Sequence, residues 1–391
     1  MDFLLEGIKR LLDTNPATGA AGWQMLLMWV VGGVLIWLAI AKDYEPTLLL
    51  PMGFGAILVN LPLSGAIDQT MSGVGDVSGI VQWLFNIGIE ASEAMPLILF
   101  IGIGAMIDFG PLLSNPKMFL FGAGAQFGIF ITVVGAALLG FPLKDAAAIG
   151  IIGAADGPTA ILVSQVFQSD YMGPISVAAY SYMALVPIIL PIGIKLVTTK
   201  HERQIKMDYA PATVSRRTRI LFPIIVTIVA GLVAPASVSL VGFLMFGNLI
   251  RECGRLDRLS QTAQNELANL ITILLGLTIS FSMRAEQFVQ LRTILVLVLG
   301  LIAFTFDAIG GVLLAKFINL FLPKGKKINP MIGAAGISAF PMASRVVHKL
   351  GIKEDNQNFL LMHAAGANVS GQIASVIAGG MILGLVPQMI K

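Results

Sequence analysis

GIIGAADGPTAI, residues 150–161, decides how this chain must fold. It is an apolar run with one carboxylate, Asp156, set directly before Gly157 and Pro158. Proline removes a backbone donor and disturbs the preceding turn, while glycine tolerates conformations closed to other residues. A helix through this stretch is therefore expected to break beside the carboxylate. The tetrapeptide Ile152-Gly-Ala-Ala155 recurs as Ile332-Gly-Ala-Ala335, inside NPMIGAAGISAFPMASRVVHK (329–349), and each copy is followed by a proline, Pro158 and Pro341.

Looser matches flank the two copies. MGFGAILVN (52–60) resembles LMFGNLIRE (244–252), and AAYSYMALV (178–186) aligns with AGANVSGQI (365–373). Three ordered matches divide the chain into related halves. The expected organisation is an N-terminal helix and first membrane segment (1–44), a first repeat (45–197), a basic loop and linking segment (198–235) and a second repeat (236–391). Repeated halves with broken helices in matching places are a transporter-like arrangement, with substrate and ion sites at the breaks. Inversion of the repeats is the expectation. It needs an odd number of crossings per half, and 146–167 and 329–350 can each cross or re-enter, so the crossing number stays open.

The rest of the sequence sets that pattern in lipid. Of 391 residues, 12% are charged and 56% hydrophobic, and net charge is +3. Soluble domains carry about 25% charged residues. Apolar runs long enough to span a bilayer, about 20 residues each, recur along the chain. The expected spans are 23–41, 45–64, 94–109, 118–141, 146–167, 173–197, 218–235, 236–252, 267–283, 293–320, 329–350 and 357–387. Such runs are too long and too continuously apolar for barrel strands, so the fold is an all-α polytopic membrane protein. A soluble enzyme, a nucleic-acid binder and a disordered tail are excluded.

Polar stretches fall between these runs. Met1–Asp13 has the spacing of an amphipathic surface helix and is not a cleavable signal. GAIDQTMSGVGDVSG (65–79) reads as a Gly/Ser loop, followed by an amphipathic piece over 79–90. TKHERQIKMDYAPATVSRRTR (199–219) is basic and is placed in the cytoplasm by the positive-inside rule, as are Arg251, Arg255, Arg258 and Lys324, Lys326 and Lys327. Cys253 is the one cysteine, so no intrachain disulfide forms.

Polar groups inside the apolar segments are candidates for chemistry. An ionised Asp156 in lipid costs several kcal/mol unless liganded, and carbonyls freed by a helix break give it hard-oxygen company suited to a small cation or a proton. The second break offers Asn329, Ser338, Ser344 and the fixed charge of Arg345. Arg345 can grip an anionic group bidentately or snorkel to an interface. Asn368, Ser370 and Gln372 follow in MHAAGANVSGQIAS (362–375), with Asn368 best placed to face Asp156. Tyr182 is its counterpart in the first half, as an ion ligand, a proton carrier or an interfacial tyrosine, and Pro187 and Pro191 kink its helix. Asp108 and Asp307 are further intramembrane acids, Asp307 being open between a functional role and a subunit contact. His348 and His363 lack company at metal-ligand spacing, and Gly124-xxx-Gly128 is a helix-packing motif. There is no Walker motif.

At AADGPTAI, AYSYMALVP, NPMIGAAGISAFPMASRV and GANVSGQI the chain resembles the β subunit of sodium-translocating biotin-dependent decarboxylases, which act on oxaloacetate, glutaconyl-CoA or methylmalonyl-CoA. The resemblance covers roughly 23–387. It implies a bacterial inner-membrane subunit that decarboxylates carboxybiotin, consumes a proton and exports Na+. It implies a carboxyltransferase α subunit, a biotin carrier and a small γ or δ membrane subunit as partners, with homo-oligomers in the complex. Biotin is carried by a partner, since Lys117-Met118 lies in SNPKMFL and not in a Met-Lys-Met attachment site.

Carried over by motif, the implied functional residues are Asp156, Tyr182, Asn329, Gly333, Ser338, Arg345 and Asn368. Asp156 is implied as the Na+-binding carboxylate, with Asn329, Ser338 and Asn368 as neutral oxygens near the ions and Gly333 permitting the break. Tyr182 is implied in Na+ or proton handling, and Arg345 in holding carboxybiotin. The N-terminal region is shorter than in the longest oxaloacetate members, an expectation in favour of an acyl-CoA system. A stand-alone Na+- or H+-coupled transporter of a small organic anion fits the repeat and Asp156 equally, and the presence of a biotin partner separates the two.

Overall fold

Lipid leaves a backbone no outside hydrogen-bonding partners, and the chain meets that demand with helices. The computed structural model describes residues 21–42, 46–71, 75–91, 93–207, 213–323 and 325–390, together with Gly7, Lys9 and Leu11. The surface helix expected over 1–13 lies outside the described residues except at those three positions.

Nineteen α-helical segments are introduced here in chain order. They are α1 (Gly22–Lys42), α2 (Pro46–Val59), α3 (Ile80–Phe85), α4 (Ala94–Met106), α5 (Gly110–Ser114), α6 (Phe119–Gly124), α7 (Phe127–Leu138), α8 (Leu143–Gly150), α9 (Gly157–Val166) and α10 (Met172–Val197). There follow α11 (Lys200–Arg203), α12 (Arg216–Val233), α13 (Val238–Glu252), α14 (Asp257–Thr262), α15 (Ala268–Ile279), α16 (Ala285–Phe288), α17 (Leu291–Phe321), α18 (Met342–Glu354) and α19 (Leu361–Ile390).

Among the described residues, five helical runs are long and apolar enough to cross a membrane, or seven if two bent pairs each count as one span. The chain is an integral membrane protein. Fewer full spans form than the apolar runs suggest, because several runs are interrupted. Residues 143–166 make two short helices joined by a 3-10 turn, Ile151–Ala154, and 330–354 make a 3-10 segment, Pro330–Gly336, followed by the single short helix α18. α10 bends by 76° between Met183 and Leu185. Pro187 stands four residues after Met183, so its ring displaces that carbonyl's helical bond.

The stretch 65–79 is not wholly loop. Asp68–Met71 and Gly75–Ser78 (β1 and β2) pair antiparallel, with Asp68 opposite Ser78 and Met71 opposite Gly75. Gly75, at φ +92°, takes a conformation that side chains disfavour. Strands of four residues are too short for an alternating pattern to stand out.

The longest helix, α17, is the spine against which both broken segments pack. A Cβ on Gly333 would lie 2.0 Å from the Gly311 carbonyl oxygen, and a Cβ on Gly153 would lie 3.0 Å from the Ala303 Cβ. The backbones of the breaks therefore touch α17 directly. The breaks also meet each other, where Ser338 N–H donates to the Ala154 carbonyl at 3.0 Å.

Candidate functional site

The crossing of the two breaks is built around Asp156. Ala155 ends the first 3-10 turn at φ +54°, and Asp156 follows in extended conformation as the N-cap of α9, accepting the Thr159 N–H on Oδ1 at 3.3 Å. Its other oxygen, Oδ2, accepts from Ser375 Oγ at 2.8 Å and from Ser338 Oγ at 3.4 Å. The two serine hydroxyls are 3.1 Å apart. Asp156 is therefore buried in a cluster of hydroxyls from the second break and α19, with no basic side chain in ion-pair contact among the described residues.

Asn368 belongs to the same crossing but does not bond Asp156. Its Nδ2 donates to the Ile337 carbonyl at 2.7 Å, fixing the extended segment that carries Ser338, and its Oδ1 is buried without a hydrogen-bond partner among the described residues. Gln372 Nε2 donates to the Ser338 carbonyl. Asn368, Gln372 and Ser375 stand at i, i+4 and i+7 on α19, one helical face turned to the break. Ser375, which the sequence reading passed over, makes the closest contact of the two hydroxyls. The spacing from Asn368 is the signal that locates it.

The other expected residues lie elsewhere. Asn329 caps the second 3-10 segment and accepts from Met331 N–H at 3.0 Å. Its amide donates to the Arg203 and Ile205 carbonyls at 2.8 and 2.9 Å, so it ties the break to the polar segment after α10. Gly333 is a close-approach glycine against α17. The Tyr182 hydroxyl donates to the Leu297 carbonyl of α17, while the neighbouring Tyr180 shares a cavity wall with Asp156. The Tyr180 ring lies against Gly157, and its hydroxyl is buried without a hydrogen-bond partner among the described residues. Arg345 is exposed, one turn after Pro341, and has no ion-pair partner among the described residues.

Two further acids resolve differently from their common sequence reading. Asp108 is half-exposed, caps Gly110 N–H at 2.8 Å and stands 4.0 Å from Arg219. Asp307 is fully buried within the chain, which removes it from any subunit contact.

A cavity of about 320 Å³ reaches Asp156, Tyr180, Ser338 and Gln372 from one side and is walled on the other by α2, α4 and α15, including Thr47, Asn269 and Thr272. Met106, also in its wall, accepts Arg251 Nη1 on its carbonyl at 2.6 Å. The cavity thus extends toward the end of the bundle that carries Arg216, Arg219 and Arg251. Its inner end offers the Asp156 carboxylate, the Ser338 and Tyr180 hydroxyls and the Gln372 amide, with Ser375 and the unpaired Asn368 Oδ1 buried behind them. That donor set suits a hard, weakly charged cation. Among the described residues no three His, Cys, Asp or Glu side chains come together as a transition-metal site would require.

Residues 24–386, a span containing both breaks and the whole cavity wall, match the family described as the Na+-transporting oxaloacetate decarboxylase β subunit. The chain belongs to this family. It is 47% identical to methylmalonyl-CoA decarboxylase subunit beta of Propionigenium modestum, with 97% of this chain and 99% of that protein covered. It is 47% identical to glutaconyl-CoA decarboxylase subunit beta of Acidaminococcus fermentans, covering 93% and 94%. Against the oxaloacetate decarboxylase beta chain of Klebsiella pneumoniae the identity is 44%, covering 93% and 95%. Three upstream substrates thus accompany almost equal identities, so the β-subunit chemistry is what these relatives share. In this β subunit the fold brings Asp156, Ser338 and Asn368 to one place and distributes Tyr182, Asn329, Gly333 and Arg345 around it.

Proposed function

We propose that this chain is the membrane subunit of a Na+ pump, one that decarboxylates carboxybiotin, consumes a proton and moves Na+ out across the bacterial inner membrane. The observation that carries this reading is Asp156 among the hydroxyls of Ser338 and Ser375, at the inner end of a cavity reaching the basic end of the bundle. Relatives named as decarboxylase subunits favour the pump over a stand-alone organic-anion transporter.

The residues support definite parts. Asp156 supplies the charge for Na+, and Ser338, Ser375 and the free Oδ1 of Asn368 supply neutral oxygens. Asn329 and Gly333 act on the ions only through the second break, which they hold in place. Arg345, exposed and beside the cavity wall at Pro341, supplies a fixed positive charge for the carboxylate of carboxybiotin. Tyr182 supports the first-half helix against α17 and lies next in line to Tyr180 for proton handling. In decarboxylation the N–C bond breaks, its electron pair stays on the ureido nitrogen, a proton joins that nitrogen and CO2 leaves. A proton reaching Asp156 neutralises the charge that holds Na+, so the two compete for one carboxylate. Binding that differs between two states of the chain is what drives transport.

The biotin is on a partner carrier. A carboxyltransferase α subunit and a small γ or δ membrane subunit complete the complex, which contains more than one copy of this chain. The basic segment 199–219 faces the cytoplasm, and the cavity is entered from there. The chain is organised as two related, inverted halves, 45–197 and 236–391.

Asp156→Asn tests the reading. It is expected to abolish Na+ transport and carboxybiotin decarboxylation while carboxyl transfer to biotin by the partner continues. Normal pumping by that variant overturns the assignment. Uptake of an organic anion by the chain alone in liposomes, with no biotin protein captured on avidin, overturns the pump itself.

A further inference from the structure

Asp307 is a buried carboxylate that the ion site does not use. It lies midway along α17 and is completely enclosed. Oδ1 accepts the Ile129 N–H at 3.1 Å. Ile129 is the third residue of α7, whose start interrupts the span Pro116–Leu138, and Gln126 gives that helix no side-chain cap. The first amides of a helix have no partners within it, and inside a membrane no water supplies one. Asp307 therefore caps α7 from a different helix.

Its other oxygen faces the first break. Oδ2 has no hydrogen-bond partner among the described residues, and a Cβ on Gly153 would come within 2.5 Å of it. Gly153 precedes Ala154, whose carbonyl receives the Ser338 N–H at 3.0 Å, and Ser338 Oγ reaches Asp156. The path from Asp307 to the ion site runs through two adjacent peptides and one backbone bond. We infer that Asp307 is a positioning residue for the cation site: pinned by the start of α7, it sets the height of the Gly153–Ala154 backbone and so the register of the two breaks around Asp156. This inference rests on Asp156 being the Na+ carboxylate.

The test reads Na+ binding through thermal protection of the purified complex, with choline replacing Na+ as the reference. A ligand that binds only the folded state raises its melting temperature with concentration, so half-saturation is read directly. Asp307→Ala is expected to raise the Na+ concentration for half-maximal protection by up to about tenfold, the scale of one buried hydrogen bond. Asp307→Asn keeps an oxygen for Ile129 and is expected to stay within about threefold of the unsubstituted protein. Gly153→Ala pushes on the same contact from the other side and is expected to weaken Na+ binding. Combined with Asp307→Ala, which makes room for the methyl, its effect is expected to be smaller than the product of the two single changes.

A lower melting temperature in choline with unchanged Na+ half-saturation in Asp307→Ala makes the residue merely structural and overturns the inference. If Asp307→Ala does not assemble, unchanged Na+ half-saturation in Gly153→Ala overturns it instead. If Asp156→Asn loses Na+ protection and Asp307→Ala keeps it, this inference alone falls. If the unsubstituted complex shows no Na+-specific protection, the Na+ site falls and the inference with it.

Discussion

Ser375 Oγ stands 2.8 Å from Asp156 Oδ2, against 3.4 Å for Ser338 Oγ. A hydrogen bond to a charged group contributes about 1.5–3 kcal/mol, where 1.4 kcal/mol is tenfold in an equilibrium. Ser375→Ala is therefore expected to raise the Na+ concentration for half-maximal decarboxylation by about tenfold or more, with Ser375→Thr restoring the hydroxyl and most of the affinity. Ser338→Ala is expected to cost less through its side chain, because the backbone of Ser338 still binds Ala154. Na+ titration of the decarboxylation rate measures both. Asp156 and Ser338 were legible in the sequence because each interrupts an apolar run beside Gly or Pro. Ser375 lies in an unbroken helix where a serine looks like packing, and only its spacing from Asn368 and Gln372 marks it. Tyr182 was singled out over Tyr180 although both lie in AAYSYMALV. Which of two tyrosines two residues apart on a helix faces a cavity depends on how the helix is rotated, and one sequence does not contain that.

At the scale of elements, the breaks were legible because Gly and Pro at 153–158 and 329–341 have local physical consequences. What the breaks rest on was not. Gly333 was expected to free the backbone, and it also lets the backbone approach α17: Cβ atoms on Gly311 and on Gly333 would each lie 2.0 Å from the other's carbonyl oxygen. Gly311→Ala and Gly333→Ala are each expected to lower stability by about 1–3 kcal/mol or more, since neither neighbour is a flexible side chain. Gly135→Ala on α7, with open space around it, is expected to gain up to about 1 kcal/mol. Thermal unfolding in detergent distinguishes the two classes. The polar segment after α10 was read as a topology anchor, yet it is fastened to α18 of the second break and to α17. Arg203 Nε meets Glu354 at 2.9 Å, and Lys316 Nζ of α17 meets Glu202 at 3.1 Å. Partial burial pushes the Glu202 carboxyl up, but the Thr199 N–H and Lys316 outweigh it and hold the group below its ordinary value. A carboxyl lowered by folding stabilises above its unfolded value, about 4.3, and that contribution disappears as pH falls through the lower folded value. Proteolysis within 198–207 is therefore expected to increase below about pH 4, and Glu202→Gln to show the increased cleavage already at neutral pH.

Over the whole molecule, the buried apolar residues form two large groups. One gathers α1, α2, α15 and α16 around Met28, Leu49, Met52 and Leu275. The other holds both breaks with α17 and α19, around Phe121, Ile152, Phe304 and Ile332. Helix α4 serves both, through Leu99 in the first and Phe100 in the second. The cavity lies where they face each other: Thr47, Asn269 and Thr272 come from the first side and Asp156 and Ser338 from the second, with Tyr180, itself packed into the first group, between them. Nothing in the sequence pairs α15 with Asp156, because that juxtaposition is made by tertiary packing alone. Asn269 is exposed in a mostly apolar helix and lines the cavity, so it gives a handle on the cavity's accessible end. With Cys253 replaced by Ser, Asn269→Cys is expected to react with a charged, membrane-impermeant thiol reagent in inverted vesicles and not in right-side-out vesicles. Carboxybiotin on its carrier is expected to slow the reaction at least several-fold, since it enters the same space. Equal labelling in both vesicle orientations would place the cavity mouth away from the basic end, while labelling in inverted vesicles without protection would move carboxybiotin to another face of the subunit.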